Sequence, residues 1–174
     1  EGLREHFLLT NKPVMAVLNL GEDQLGEADE ISEKVHSVLP DSQVLALSVQ
    51  LEAEAALLPE DERGELLEGL GLGEGALPRF VRAAHGLLGL RTFLTTGEKE
   101  SRAWTFKNGW RAPQCAGRIH TDFERGFIRA EVIEHEVLLE LGSWSAGREA
   151  GRMRLEGKDY LMADGDVVEF RFNV

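Results

Sequence analysis

Asn19 and Glu22 flank Leu20-Gly21 directly after the apolar run Val14-Met15-Ala16-Val17-Leu18. An asparagine amide both donates and accepts, so it matches the N7 and 6-amino edge of adenine, the pairing used on DNA. Such a turn at the carboxyl end of a buried strand lies where a nucleotide-binding α/β domain reads its base. A second apolar run, Val44 to Leu47, ends in Ser48-Val49-Gln50, which the pattern predicts as a loop at the end of a second strand. Taken as four residues alone, Asn19 to Glu22 is most simply a polar turn. Phosphoryl transfer needs backbone amides and a lysine around the phosphates, plus a hydroxyl and a carboxylate for Mg²⁺. No Gly-x-x-x-x-Gly-Lys-Ser/Thr occurs, so no catalytic residue is assigned and hydrolysis by this chain alone is not expected.

Other chemistry-bearing residues are weaker candidates. His120 and Asp122 have the types of a base and its orienter, but with no nucleophile nearby they read better as caps at a helix end. His6, His36, His85 and His135 are scattered, and no metal ligand is assigned. Trp104, Trp110 and Trp144 have rings able to stack on RNA bases, although Trp104 alternates within a strand and reads as core or half-buried. Arg111, Arg118, Arg125, Arg129, Arg148, Arg152, Arg154 and Lys158 form either a phosphate-facing surface or a solvated face offset by Glu131, Glu134, Glu136 and Glu140. Cys115, the single cysteine, has no disulfide partner and reads as a small packed residue without a redox role.

The elements that would position these groups fall into two sets. Glu1 to about Thr10 reads as the end of an amphipathic helix, with Leu3, Phe7 and Leu8 at helical spacing, stopped by Asn11 and Pro13. Val14 to Leu18 lacks alternation, as expected of a strand buried on both faces of a parallel sheet. A helix over 29–39 presents Ile31, Val35, Val38 and Leu39, and the strand at 44–47 follows. The order argues for a doubly wound layer. Pro59-Glu60-Asp61 divides the helical stretch 51–70 into two helices. The glycines at 69, 71, 73 and 75 follow a helix rather than a strand and predict a flexible connector, not a dinucleotide loop. A helix over 77–90, with Phe80, Val81, Ala84, Leu87 and Leu88 on its apolar face, closes the first set.

From Arg91 the pattern changes to strands at 92–95, 102–106, 127–132 and 167–172, interrupted by one helix from Pro113 to about Asp122. Asp164-Gly165-Asp166 supplies a turn. A small mixed sheet gripping one helix is the economical arrangement.

The chain has 174 residues, 43% of them apolar, and a net charge of -12. Residues 1–90 carry 6 Lys/Arg against 17 Asp/Glu, whereas residues 91–174 carry 13 against 14, so any RNA contact is expected in the second half. No apolar run approaches a membrane span, which predicts a soluble, cytoplasmic protein with no membrane partner. The missing initiator methionine and the helical spacing at the start read as a piece of a longer protein.

The run Gly117 to Val132, with Leu155 to Tyr160, Asp164 to Val167 and the ending Phe170-Arg171-Phe172-Asn173-Val174, resembles the TGS-domain signature of the YchF or Obg-like ATPase family. Leu9-Thr10, Lys12-Pro13-Val14 and Asn19-Leu20-Gly21-Glu22 are similar to that family's modified base-recognition motif. The resemblance implies an α/β P-loop NTPase-type fragment of parallel strands and helices, followed by an α+β β-grasp, ubiquitin-like TGS domain. Residues 1–90 would be the C-terminal part of the G domain with the end of a helical hairpin, and residues 91–174 the TGS domain. The P-loop, both switch regions and most of the hairpin are absent from the sequence.

The resemblance further implies ATP in preference to GTP, with Mg²⁺ in the intact protein, and the ribosome, its large subunit, or RNA as partner. Ordinary GTPases use Asn-Lys-x-Asp, whose aspartate accepts from guanine; here Leu20 and Glu22 replace the lysine and the aspartate. Asn19 is the first candidate for adenine contact, Leu20 packs on the base or offers its backbone, and Glu22 marks the altered specificity. Ser48, Val49 and Gln50 would line the other side of the base. Arg111, Arg118, Arg125, Arg129 and Lys158 are the RNA or ribosome candidates. The competing class is a non-enzymatic TGS-type module that binds RNA, ribosome or protein.

Overall fold

The computed structural model describes residues 4–6, 8–97 and 100–173. The chain divides into two compact units, Glu1–Leu88 and Gly89–Val174. Among the described residues no helix is long and apolar enough to cross a membrane.

In the first unit, β1 (Met15–Asn19) and β2 (Gln43–Leu47) pair in parallel, with Asn19 opposite Leu47. A parallel neighbour demands a crossover, which α1 (Ala28–Val38) supplies. Three helices follow: α2 (Val49–Ala55), α3 (Glu60–Gly69) and α4 (Ala76–Leu87). Pro59 stands extended before α3, as the start signal in the sequence predicts. Leu20, Leu45, Leu47, Leu51, Ala55 and Leu67 are its buried apolar residues.

Several expectations are corrected here. The expected strand, buried on both faces, has Val17 43% exposed, because α1 and α4 pack on β2 and a two-stranded layer has no inner strand. Residues 49 and 50 are not loop but the first turn of α2. Ile31 and Val35 are half-buried on α1, whereas Val38 and Leu39 are exposed beyond the end of β2. In place of an opening amphipathic helix stand short 3₁₀ turns at Arg4–His6 and Leu9–Asn11, with Leu8 and Leu9 exposed; Leu3 and Phe7 lie outside the described residues. The connector after α3 is a defined turn with Gly71, Gly73 and Gly75 at φ 71°, 59° and 90°, a region L side chains avoid.

The second unit is a mixed five-stranded sheet. Its strands are β3 (Leu90–Thr96), β4 (Ser101–Lys107), β5 (Phe127–Glu134), β6 (Arg154–Glu156) and β7 (Asp166–Phe172). Their spatial order is β4-β3-β7-β5-β6; β3 and β7 are parallel and the other pairs antiparallel. Helix α5 (Ala112–Ile119) lies against β4 and β5, and Ala112, Cys115 and Ala116 join Phe93, Phe106, Val132 and Val168 in the core. Phe93 stands edge-on to Phe170, with ring centroids 5.8 Å apart.

The single helix expected here is replaced by four short ones. The segment from Pro113 breaks at His120, which is extended and caps α6 (Thr121–Arg125) by accepting from the Asp122 N–H. Helices α7 (His135–Leu141) and α8 (Trp144–Glu149) are separated by Gly142 in the left-handed region and by Ser143, whose hydroxyl accepts from the Ala146 N–H. Helix α7 half-buries only Val137, Leu138 and Leu141 between glutamates, so its periodicity is faint. Strand β6 was not anticipated. The expected helix over 77–90 ends at Leu87, and Gly89, at φ 63°, turns the chain into β3.

Candidate functional site

The carboxyl ends of β1 and β2 bring the two sequence motifs together. The Leu20 N–H donates to the Leu47 carbonyl at 2.8 Å, and the Asn19 Oδ1 accepts from the Val49 N–H at 3.0 Å. Asn19 thus fastens the end of β1 to the first residue of α2 with the very oxygen that its residue type offers to a base. Its Nδ2 remains exposed. Gly21 turns the chain, its N–H donating to Gln24 Oε1, and Glu22 opens a 3₁₀ turn with its side chain in solvent.

Burial separates the remaining candidates. Leu20 is 6% exposed, so its side chain belongs to the core and only its backbone faces the corner. Ser48 is 1% exposed, and its Oγ has no hydrogen-bond partner among the described residues. A buried hydroxyl left unpaired is costly, on the order of 1–3 kcal/mol, and marks a place for a missing polar partner. Val49 is exposed, and Gln50 is turned along α2 to Glu54 at 3.0 Å, away from the corner.

Beside Val49 lies an apolar cleft of about 220 Å³, lined by Leu47, Val49, Glu52, Ala76, Leu77 and Phe80. Glu52 is the one acidic residue of this lining, and its Oε1 accepts from the Ala76 N–H at 2.6 Å at the start of α4. The sequence offers no signal for Glu52, since nothing in its neighbourhood announces a contact 24 residues away. Phe80 was legible only as part of a helix face.

In the second unit the candidate cations divide. Arg111 pairs with Asp159, and Arg118 donates from Nε to the Thr105 carbonyl at 3.1 Å. Arg125, Arg129 and Lys158 are exposed and have no ion pair or hydrogen bond among the described residues. Arg148 and Arg154 serve buried carboxylates instead. Arg148 meets Glu131 at 3.0 Å, with Arg171 at 3.5 Å on its other oxygen, and Arg154 meets Asp166 at 3.3 Å. Trp104 is half-buried, its indole N–H on Thr95 Oγ1 at 2.9 Å. His120 caps α6 at the Asp122 N–H, and Asp122 sits in that helix's first turn.

Asp166 is buried under α5 and holds the approach to β7. It accepts from the Tyr160 hydroxyl at 2.8 Å and the Ala163 N–H at 2.9 Å. Burial, reinforced by that bond, pushes the Tyr160 phenol up from its ordinary value. The buried Cys115 thiol is pushed up to about 12, first by burial and then by the Asp166 charge. Its unfolded value is 9.0, so the folded state prefers the neutral thiol. That stability is fully present below pH 9 and is lost as pH rises through about 12. Urea unfolding at pH 8 and pH 11 should show the decline, and Cys115→Ala should flatten it; Tyr160 contributes in the same direction.

The geometry defines the class: an α/β protein with parallel strands and helices whose joined strand ends carry an asparagine tie and an unpaired serine, followed by a mixed-sheet unit. Residues 90–173 match the family model YchF-GTPase_C, described as a protein of unknown function. The chain is 44% identical over 176 residues to the ribosome-binding ATPase YchF of Bacillus subtilis, covering 99% of this chain and 48% of that protein. It is 40% identical over 178 residues to Obg-like ATPase 1 of Pongo abelii, covering 99% and 45%. A solved structure of the Schizosaccharomyces pombe YchF GTPase matches with a TM-score of 0.83 at 30% identity, over 97% of this chain and 46% of that one. The second unit thus carries the YchF-GTPase_C sequence, and the chain aligns with YchF and Obg-like ATPase relatives over nearly its whole length while spanning about half the length of those curated relatives.

Proposed function

We propose that this chain is the later part of a ribosome-associated, YchF-like ATPase of the cytoplasm, supplying one wall of the purine pocket and a TGS domain. One observation carries the first half of this reading: Asn19, at the end of β1, ties that strand to the first residue of α2 beside a buried serine hydroxyl that lacks a partner among the described residues. The carboxyl ends of parallel strands are where such sheets take their ligands. The amide of the exposed Asn19 fits the polar edge of a purine, while the Ser48 hydroxyl lies buried behind it. The strand order β4-β3-β7-β5-β6, with α5 packed on β4 and β5, supports the β-grasp reading of the second unit, to which α6, α7 and α8 are additions. Bound ATP, with Mg²⁺, would bring the phosphoryl chemistry; this chain's part is to orient the base.

Base preference needs a revised account. Asn19 Oδ1 is already engaged, and N7 is shared by adenine and guanine, so Asn19 selects purines and not adenine. Preference for ATP rests instead on the loss of the guanine-reading aspartate: Glu22 stands in solvent at the head of a 3₁₀ turn. Arg125, Arg129 and Lys158 are the proposed ribosome or RNA contacts. Arg111 and Arg118, each already bonded within the unit, contribute less.

Two substitutions separate the tie from the base contact. Asn19→Asp keeps an oxygen for the Val49 N–H and removes the donor; Asn19→Ala removes both. In a polypeptide of the relatives' length, calorimetric titration should show ATP and GTP affinity falling about tenfold in both variants, one hydrogen bond's worth. Urea unfolding should show the alanine variant alone losing about 1 kcal/mol. Unchanged affinity in Asn19→Asp would remove Asn19 from the pocket.

A further inference from the structure

Strands β4 and β6 are the two edges of the second unit's sheet, and β4, with seven residues, is the longer. Its backbone groups can be accounted for individually. The Gly97 N–H donates to the Glu100 carbonyl at 3.0 Å and the Asn108 N–H to the Gly89 carbonyl at 2.7 Å, in the register that pairs Phe93 with Trp104. Bonded and non-bonded pairs alternate in an antiparallel ladder, so Arg102, Trp104 and Phe106 bond to β3. Ser101, Ala103, Thr105 and Lys107 therefore turn their N–H and carbonyl groups outward.

The outward groups are closed at one end only. The Thr105 carbonyl is taken by Arg118 Nε, and the Lys107 carbonyl by the Trp110 N–H at 3.1 Å. Ser101 and Ala103 keep both donor and acceptor open, and Thr105 keeps its N–H, among the described residues. Edges of this kind are ordinarily blunted by proline, a bulge or inward charge. Here all three residues are exposed and carry small side chains. Along the same stretch Arg102 lies 4.4 Å over the half-buried Trp104 ring, Arg118 reaches the edge at the Thr105 carbonyl, and Lys107 projects from the opposite face of β4. Glu100, at 3.9 Å from Arg102, is its carboxylate neighbour.

We propose that the open half of this edge, Ser101 to Thr105, takes an extended peptide of a partner protein that carries acidic side chains at alternate positions. The peptide would add a sixth strand, its N–H groups meeting the Ser101 and Ala103 carbonyls and its carbonyls meeting the outward N–H groups. Alternate side chains would fall on the Trp104 and Arg102 side, where carboxylates find the arginines. An RNA strand offers one 2′-hydroxyl per nucleotide but no backbone N–H and C=O alternating at strand spacing, which is what the open carbonyls and N–H groups of this edge match, so the observations favour peptide over RNA.

The test uses the whole chain and a synthetic peptide of about eight residues alternating valine and aspartate. Amide exchange followed by NMR should slow about tenfold or more at Ser101, Ala103 and Thr105 on saturation, and stay unchanged at Arg102 and Trp104. Ala103→Pro removes one outward donor at an edge position and should weaken binding about tenfold. Should that variant disturb the strand, Arg102→Glu gives an independent readout: it should lose the aspartate peptide and gain one with lysine in its place. No binding, binding with unchanged exchange at the three amides, or perturbation of those amides by a single-stranded RNA oligonucleotide but not by the peptide would each overturn the proposal.

Discussion

Replacing Asp166 by alanine is expected to destabilise the second unit by about 3–5 kcal/mol, the range found when one member of a buried charge pair is removed. Asp166 is 1% exposed and accepts from three groups at once, the Tyr160 hydroxyl, the Ala163 N–H and the Arg154 guanidinium. Alanine strands all three. Arg154 also reaches Glu134 and Glu156, which eases its loss, whereas the Ala163 amide has no such second acceptor among the described residues. Asp166→Asn should fall between wild type and alanine, since its amide keeps one acceptor but sets a donor against a donor. Tyr160→Phe should cost less, about 1–2 kcal/mol, since its hydroxyl donates to Asp166 and accepts from Arg154 but carries no charge. Urea unfolding of the three variants at pH 7 checks the ranking; equal losses for Asp166→Ala and Tyr160→Phe would mean that the carboxylate does not organise the cluster.

A second large effect is expected at Gly126, the residue joining α6 to β5. Its φ of -89° suits any residue, so the requirement for glycine is steric. A Cβ built there falls 1.9 Å from the Asn173 carbonyl oxygen and 2.9 Å from its carbon, and backbone cannot swing aside as a flexible side chain does. The Asn173 N–H donates back to the Gly126 carbonyl at 2.9 Å, which fixes the close approach. Gly126→Ala should therefore prise the end of β7 from its neighbour and loosen the Phe123 and Phe172 rings, stacked at 3.7 Å, at a cost of about 3 kcal/mol, the upper range for overpacking. Gly157→Ala is the control: nothing lies within 4 Å of its Cβ, and its melting temperature should hardly move.

What the sequence reveals and what it hides divide along physical lines. Strands β3, β4, β5 and β7 were legible because their β-branched and aromatic residues alternate against a core, and Pro59 announced α3 because its ring fixes φ. At His120 the residue types disclosed a cap at a helix end but not that a new helix, α6, starts there, since a histidine accepting from the Asp122 N–H is a local choice that no periodicity encodes. Helices α7 and α8 were hidden by their brevity and by glutamates that dilute the apolar face. In the corner at the strand ends, Asn19 and Ser48 were legible as residue types at plausible places. Their actual engagements were not, because the Val49 N–H is 30 residues away from Asn19 and the state of the Ser48 hydroxyl depends on what surrounds it. The positive residues were left between two readings for the same reason: Arg148 and Arg154 turn out to neutralise Glu131 and Asp166, whose burial is invisible in sequence.

Helix α2 is fastened at both ends of its first turn, by Asn19 at the Val49 amide and through Glu52 to the Ala76 amide. A rivet of two bonds thus couples β1 to α4 across a helix of seven residues. Any displacement of the turn that follows β1 is passed to α4 as a rigid-body shift and not absorbed as loop motion, so the amides of residues 49 and 76 should open to solvent in concert.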